Sequence, residues 1–156
     1  MNPHQAHALA FKLMVDHGLQ EKGWSFEFDQ ATRRFGRCYY RRKLITLSEP
    51  LVSLNDESRV RNTILHEIAH ALTEGHHHDE VWRAKAIEIG CDGKRCYDSE
   101  EVAAPQQKYL VSCPNGHVYQ RSRKPMDGRS YSCGKCSNKF NRDHLLVFSL
   151  NPNYIR

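Results

Sequence analysis

The sequence predicts an α+β protein in two parts, helices packed on a small three-stranded sheet over residues 1–104 and a small β-rich unit over 105–156. Three observations carry that expectation. Apolar residues recur at helical spacing in two long stretches, and they alternate with polar ones in short stretches between those two. The last third holds two tight turns that each carry cysteine and glycine. With 156 residues, 39% of them hydrophobic and 26% charged, the chain can bury a core without disulfides.

Residues 3–17 read as a helix, because Ala6, Leu9, Ala10, Leu13 and Met14 share one face and Gly18 supplies a stop. Trp24, Phe26 and Phe28 alternate with Ser25, Glu27 and Asp29, the period of a half-buried strand. Residues 35–40 and 44–48 read as two more strands joined by short basic turns, so a three-strand meander is expected, ended by Glu49-Pro50. Ser53-Leu-Asn-Asp56 has the form of a capping box. The helix after it is expected to run to about Glu74, with Val60, Ile64, Ile68 and Leu72 on one stripe and Gly75 as C-cap. Asp79 caps a further helix, Glu80 to Ile89, closed by Gly90. Residues 98–107 read as a linker, and short strands with Cys/Gly knuckles follow it.

No apolar run approaches the roughly 18 residues of a membrane helix. The first 20 residues carry His4, His7, Lys12, Asp16 and His17 and so lack the apolar block of a signal peptide. A soluble, cytoplasmic monomer without a membrane partner is the expectation. In that reducing compartment six cysteines suggest metal ligands or free thiols. Cys38 is expected as a buried, small apolar residue, and Cys91 and Cys96 as surface thiols in preference to a disulfide.

His66-Glu67-Ile68-Ala69-His70 falls in the middle of the best helix. Residues four apart project side by side, so two imidazoles can share one metal ion. Glu67 beside them is placed to act as a base toward water and not as a ligand. With 10 histidines in the chain, a random order would give roughly 0.04 such motifs, so chance is a poor explanation. Zinc suits two imidazoles, a third ligand and one open position. The third ligand is sought among His76, His77 and His78. His78 is preferred because it directly precedes a helix that can hold it, with Trp82 one turn on to brace it. His76 is the rival. Tyr39, Tyr40 and several arginines are available to stabilise a transition state, and the sequence selects none of them.

Cys113-Pro-Asn-Gly-His117 and Cys133-Gly-Lys-Cys136 form two ligand pairs, the layout of a zinc ribbon. Four ligands leave no vacancy, so this second zinc is structural, and a segment so small needs such a staple to fold. His144 is the alternative to His117. Charge is divided unevenly along the chain. Residues 1–104 hold 14 basic and 16 acidic residues, net −2, whereas residues 105–156 sum to +7. Arg121, Arg123, Lys124, Arg129, Lys135, Lys139 and Arg142 lie in or beside the ribbon, interleaved with Tyr119, Tyr131 and Phe140. Cations that track phosphates and aromatics that stack on bases describe a binder of single-stranded DNA without sequence preference. At least one of those aromatics is expected to serve as core instead. A second basic cluster lies at Arg33, Arg34, Arg37, Arg41, Arg42 and Lys43.

The run from Thr63 to Leu72, then His78-Asp-Glu-Val-Trp82 and Ile89-Gly90, resembles the SprT-like (Spartan-related) metalloprotease family. Trp24 to Phe28, Gly36-x-Cys38 and Ile45-Thr-Leu-Ser48 also match its pattern. The resemblance covers roughly residues 5–145. It implies a minimal zincin-like fold with His66, His70 and His78 on a catalytic zinc, Glu67 as catalytic base and a C-terminal zinc ribbon. It also implies proteolysis of proteins associated with or crosslinked to DNA, and hence a location on DNA or the nucleoid. Here His78 is followed by aspartate where the family writes glycine, and His117 stands where its ribbons generally place a cysteine. A DNA-binding accessory module with an inactive or structural centre is the competing reading, and the presence of Glu67 argues against it.

Overall fold

A computed structural model describes residues 1–95 and 102–154 of the chain. These form two compact units, Met1–Pro105 and Gln106–Arg156. The first unit opens with α1 (Pro3–Asp16), whose Asn2 side chain accepts a hydrogen bond from the His4 amide. α1 buries Ala6, Ala10, Leu13 and Met14, and Gly18 turns the chain away with φ +67°. Three strands follow, β1 (Ser25–Asp29), β2 (Gly36–Tyr39) and β3 (Leu44–Ser48).

The sheet is not the meander expected from the sequence. Its order is β1-β3-β2, with β1 parallel to β3 and β2 antiparallel to it. The reason lies in β3, which is buried at all five positions, so it takes the centre where both faces are covered. The tight basic turn at 40–43, with Lys43 at φ 46°, does make the β2–β3 hairpin. Residues 30–35 instead carry the chain from β1 on one side of β3 to β2 on the other.

Glu49-Pro50 ends β3 and also starts a short helix, α2 (Glu49–Leu54), absent from the expectation. Proline is harmless in a first turn, where its missing N–H has no partner to lose. Ser48 caps α2 by accepting from the Leu51 amide at 3.1 Å. Ser53 is therefore inside α2 and is not a cap. The next helix, α3 (Glu57–Leu72), is capped by Asp56, which accepts from the Arg59 amide at 2.8 Å. Val60, Ile64 and Ile68 are fully buried along its stripe. α4 (Glu80–Glu88) is capped by Asp79 and closed at Gly90, which has φ +90°.

The core gathers α1, α3, α4 and the sheet around Met14, Phe35, Ile45, Leu47, Leu65 and Trp82. Of the expected linker, residues 98–101 lie outside the described residues, and Val102 after them belongs to this core while Ala103 is exposed. Val102 is buried, and the Asn55 side chain clasps Ala103 with two hydrogen bonds of 2.8 and 3.0 Å. Cys38 is half-buried against the core. Cys91 is a free thiol but buried, which corrects the expectation of a surface thiol, and Cys96 lies outside the described residues.

The second unit is a three-stranded antiparallel sheet, β4 (Tyr109–Ser112), β5 (Val118–Arg121) and β6 (Val147–Leu150), in the order β5-β4-β6. Its buried residues are Val111, Cys113, Cys133 and Asn151, a very small interior for some fifty residues. No helix among the described residues is long and apolar enough to cross a membrane.

Candidate metal centre and nucleic-acid interface

His66 and His70 stand one turn apart on α3, with ring centroids 5.0 Å apart. The chain leaves α3 at Thr73, turns at Gly75 and returns His78 to the same point. The Nε2 atom of His78 lies 3.0 Å from the Nε2 atoms of both His66 and His70. His76, the rival, is elsewhere, with its Nδ1 2.7 Å from the Asp79 carboxylate at the surface. His77 contacts only the Tyr40 ring among these groups, at 6.3 Å. His78 adopts φ 61°, a left-handed backbone unusual for a residue with a side chain. It is held there by the Asp79 cap on α4 and by Trp82, whose ring lies 4.5 Å from His78, 4.7 Å from His66 and 5.1 Å from His70. Trp82 is 1% exposed, so it is a rigid wall behind all three imidazoles.

The remaining ring contacts orient the ligand nitrogens. His66 is hydrogen-bonded to the Lys94 backbone and His70 to the His76 backbone, both in a sense that favours a proton on the nitrogen involved. The Tyr40 hydroxyl is 3.5 Å from His70 Nδ1. Holding the outer nitrogen in this way leaves the Nε2 lone pair aimed inward. Burial, then neighbouring imidazoles, pushes the His66 pKa down to about 4 and that of His70 to about 3, and burial lowers that of His78. Three neutral imidazoles converging their lone pairs is a donor set for a borderline-soft cation such as zinc, and it fits.

Glu67 is not part of this cluster. One residue on from His66, it points to a different side of α3, toward β2. A Cβ atom built on Gly36 would lie 2.7 Å from Glu67 Oε1 and 2.8 Å from its Cγ. Only glycine at that position lets the carboxylate occupy its place. The sequence pattern included Gly36 but gave no physical reason for it, since the contact is between a strand and a helix 31 residues later. Burial drives the Glu67 pKa up to about 8, against the pull of the Arg34 guanidinium. Cys38, on β2, is pushed up to about 12 by burial, then by Glu67 and Glu74, so its thiol is inert. Of the two tyrosines offered by the sequence, Tyr40 reaches the cluster. Tyr39 is stacked under Arg37 and Arg42, at 4.6 and 5.5 Å.

In the second unit Cys113, His117, Cys133 and Cys136 come together. His117 Nδ1 lies 3.5 Å from the sulfurs of Cys113 and Cys133 and 3.3 Å from that of Cys136, and the Cys113 and Cys136 sulfurs are 3.8 Å apart. Zinc bonded tetrahedrally at about 2.3 Å to sulfur and about 2.0 Å to nitrogen sets its ligands roughly 3.3–3.8 Å apart, so the group fits. His144 is not in the cluster, and its backbone carbonyl accepts from the Cys133 amide instead. Burial opposes the Cys133 thiolate, but the Tyr119 hydroxyl at 2.8 Å and the amides of Cys136 and Lys135 outweigh it and bring that thiol down to about 6.

All seven basic residues singled out in this unit are exposed. Lys135 lies over the Tyr119 ring at 5.7 Å, and Lys124 over Tyr109 at 5.4 Å. Tyr119 is the aromatic committed to the interior, through its bond to Cys133. Tyr131 and Phe140 are 49% and 60% exposed and free to stack on a partner. Tyr109 and Lys108, missed in the sequence, add a third cation–aromatic pair at 5.5 Å.

Comparison with known proteins bears on the first unit. The model of the SprT-like family matches residues 5–101, a span that holds every residue of the histidine centre. A curated relative, Protein SprT of Glaesserella parasuis serovar 5 (strain SH0165), is 26% identical over 114 residues, covering 67% of this chain and 73% of that protein.

Proposed function

The chain belongs to the SprT-like family, and from that premise we propose that it is a zinc metalloendopeptidase that cleaves proteins associated with or crosslinked to DNA. The observation that carries the proposal is the convergence of three neutral imidazoles beside a buried carboxylate that ligates nothing. His66, His70 and His78 would hold a catalytic zinc, and Cys113, His117, Cys133 and Cys136 a structural one. When bound, the catalytic zinc supplies Lewis-acid polarisation of the scissile carbonyl and of water, and a positive charge that draws Glu67 toward its ionised form.

Glu67 then takes the proton of the attacking water and passes it to the leaving amine. Gly36 gives it the room to do so. Tyr40 and the backbone of His76 keep the His70 ring from rotating. The edge strand β2 has one side open among the described residues, and it offers an extended substrate backbone hydrogen bonds without regard to side chains. The zinc-ribbon unit, with exposed cations and two exposed aromatics, would bind single-stranded DNA and so confine a broadly acting protease to protein on DNA.

The test is cleavage of a DNA-binding protein by wild type and Glu67→Gln, each with and without single-stranded DNA. Cleavage that requires both Glu67 and DNA is expected. Cleavage that requires Glu67 but ignores DNA would remove the nucleic-acid role. Binding of DNA without any cleavage would make the protein an accessory module.

A further inference from the structure

A cavity of about 400 Å³ opens beside Glu67. Its floor is one stripe of α3, running through Arg59, Thr63, His66 and Glu67 at helical spacing. Its walls are the end of the loop before β2 with Gly36 at the start of that strand, and Asp92, Lys94 and Arg95 after α4. One imidazole of the histidine centre, His66, and the Glu67 carboxylate therefore line it together, and a side chain next to a bond held at Glu67 would enter it.

Among the described residues the lining is strongly biased in charge. Arg33, Arg34, Arg59, Lys94 and Arg95 face two carboxylates, Glu67 and Asp92. Asp92 is committed to its own loop, where it accepts from the Lys94 amide at 3.0 Å, while its amide donates to Asn62. Arg34 is paired with Asp29 at 2.9 Å. Arg33 and Arg95 are exposed at the mouth, and neither pairs with a carboxylate among the described residues. A concave, partly desolvated site with surplus positive charge favours an anion small enough to enter. Its position decides between sources. A nucleic-acid phosphate seated against His66 and Glu67 would block the reacting groups, whereas a substrate carboxylate in the same place leaves the adjacent peptide bond within their reach.

We propose that this cavity is a specificity pocket that selects an acidic side chain beside the scissile bond. The backbone-directed groove would then be broad in sequence but biased in charge at one position. The inference rests on the protease reading above.

The experiment uses the zinc-loaded full-length protein and quenched peptides that differ only in carrying Glu, Gln or Lys at one position, scanned along both sides of the cleaved bond. At one register, Glu should exceed Gln by about tenfold in kcat/KM, chiefly through KM, with Lys below Gln. The preference should shrink as salt rises. Arg33→Glu combined with Arg95→Glu should invert the Glu-to-Lys ratio, and the paired glutamine variants should flatten it. Such ratios are taken within one protein, so partial misfolding does not move them. Cleavage that depends on Glu67 but shows no such ordering at any register would overturn the pocket and leave the protease intact. Absence of any Glu67-dependent cleavage would overturn both. Unchanged ratios with weakened binding of single-stranded oligonucleotide would assign the lining to nucleic acid and overturn the proposal.

Discussion

The two candidate metal-binding clusters sit in opposite structural circumstances. The histidine centre is mounted on α3 and backed by Trp82, in a core whose large apolar side chains are buried without any help from an ion. The Cys/His cluster sits in a unit with almost no interior other than the cluster itself. In the first, the surrounding core positions the side chains, and in the second, the cluster supplies two of the four buried residues among those described. The first cluster offers three candidate ligands and the second four, the numbers that an open, reactive zinc site and a closed, structural one use respectively.

Removal of metal separates them most sharply. Structural zinc contributes on the order of 10 kcal/mol of apparent binding energy to small domains. A strong chelator should therefore unfold residues 106–156 while α1, α3 and the first sheet persist, as read by residue-resolved hydrogen exchange. Simultaneous loss of both units would erase the distinction. The loaded protein should contain close to two zinc ions per chain.

Trp82→Ala removes the wall behind the imidazoles and should destabilise the first unit by about 3–5 kcal/mol in denaturant unfolding. Its zinc affinity should fall with it. Loss of metal without loss of stability would mean that Trp82 orients ligands but carries little packing.

Gly36→Ala probes the catalytic unit more finely. The added methyl displaces the Glu67 carboxylate, and displacements of this size cost roughly 10–100-fold in activity. Zinc content should remain unchanged, because Glu67 is no ligand. Full activity in this variant would show that Glu67 tolerates movement.

The shallowest effect is on pH. In the chelated protein, His66, His70 and His78 have lowered pKa values, so the unfolded chain takes up protons first as pH falls below 6.5, and stability declines through about 4. Glu67 has the opposite sign. Its pKa rises from 4.5 to about 8, so its contribution is present at low pH and lost as pH climbs through 8. Between pH 4.5 and 6.5 the three histidines outweigh the single carboxyl, so the chelated protein should be most stable near pH 6.5 and lose stability on either side, a maximum that thermal unfolding across pH would reveal. A steady gain in stability up to pH 8 would contradict the burial of Glu67.

Local signals carried much of this into the sequence. The stripe of Val60, Ile64 and Ile68 located α3, and the four-residue spacing of His66 and His70 located the centre. Asp79 pointed to His78 over His76 because a cap fixes the residue before it. What could not be read were relations between distant segments. Alternation in Phe26 and Phe28 reports a half-buried face but not which strand lies alongside, so the parallel β1–β3 pairing was missed. The fit of Gly36 under Glu67 and the clasp of Asn55 on Ala103 also join residues far apart in the chain. Pro50 was read only as the end of the strands, because proline cannot donate to a sheet ladder, and its fitness for the first turn of a helix was passed over.

The left-handed backbone at His78 has a consequence for variation at this position. Such a conformation costs a residue with a Cβ about 1–2 kcal/mol and glycine almost nothing. Replacing His78 with glycine should make the chelated protein more stable and the loaded one inactive. A screen that rewards heat resistance alone would therefore drift toward losing the third imidazole. Stability and the third imidazole thus pull against one another at position 78, and a gain in one is a loss of the other.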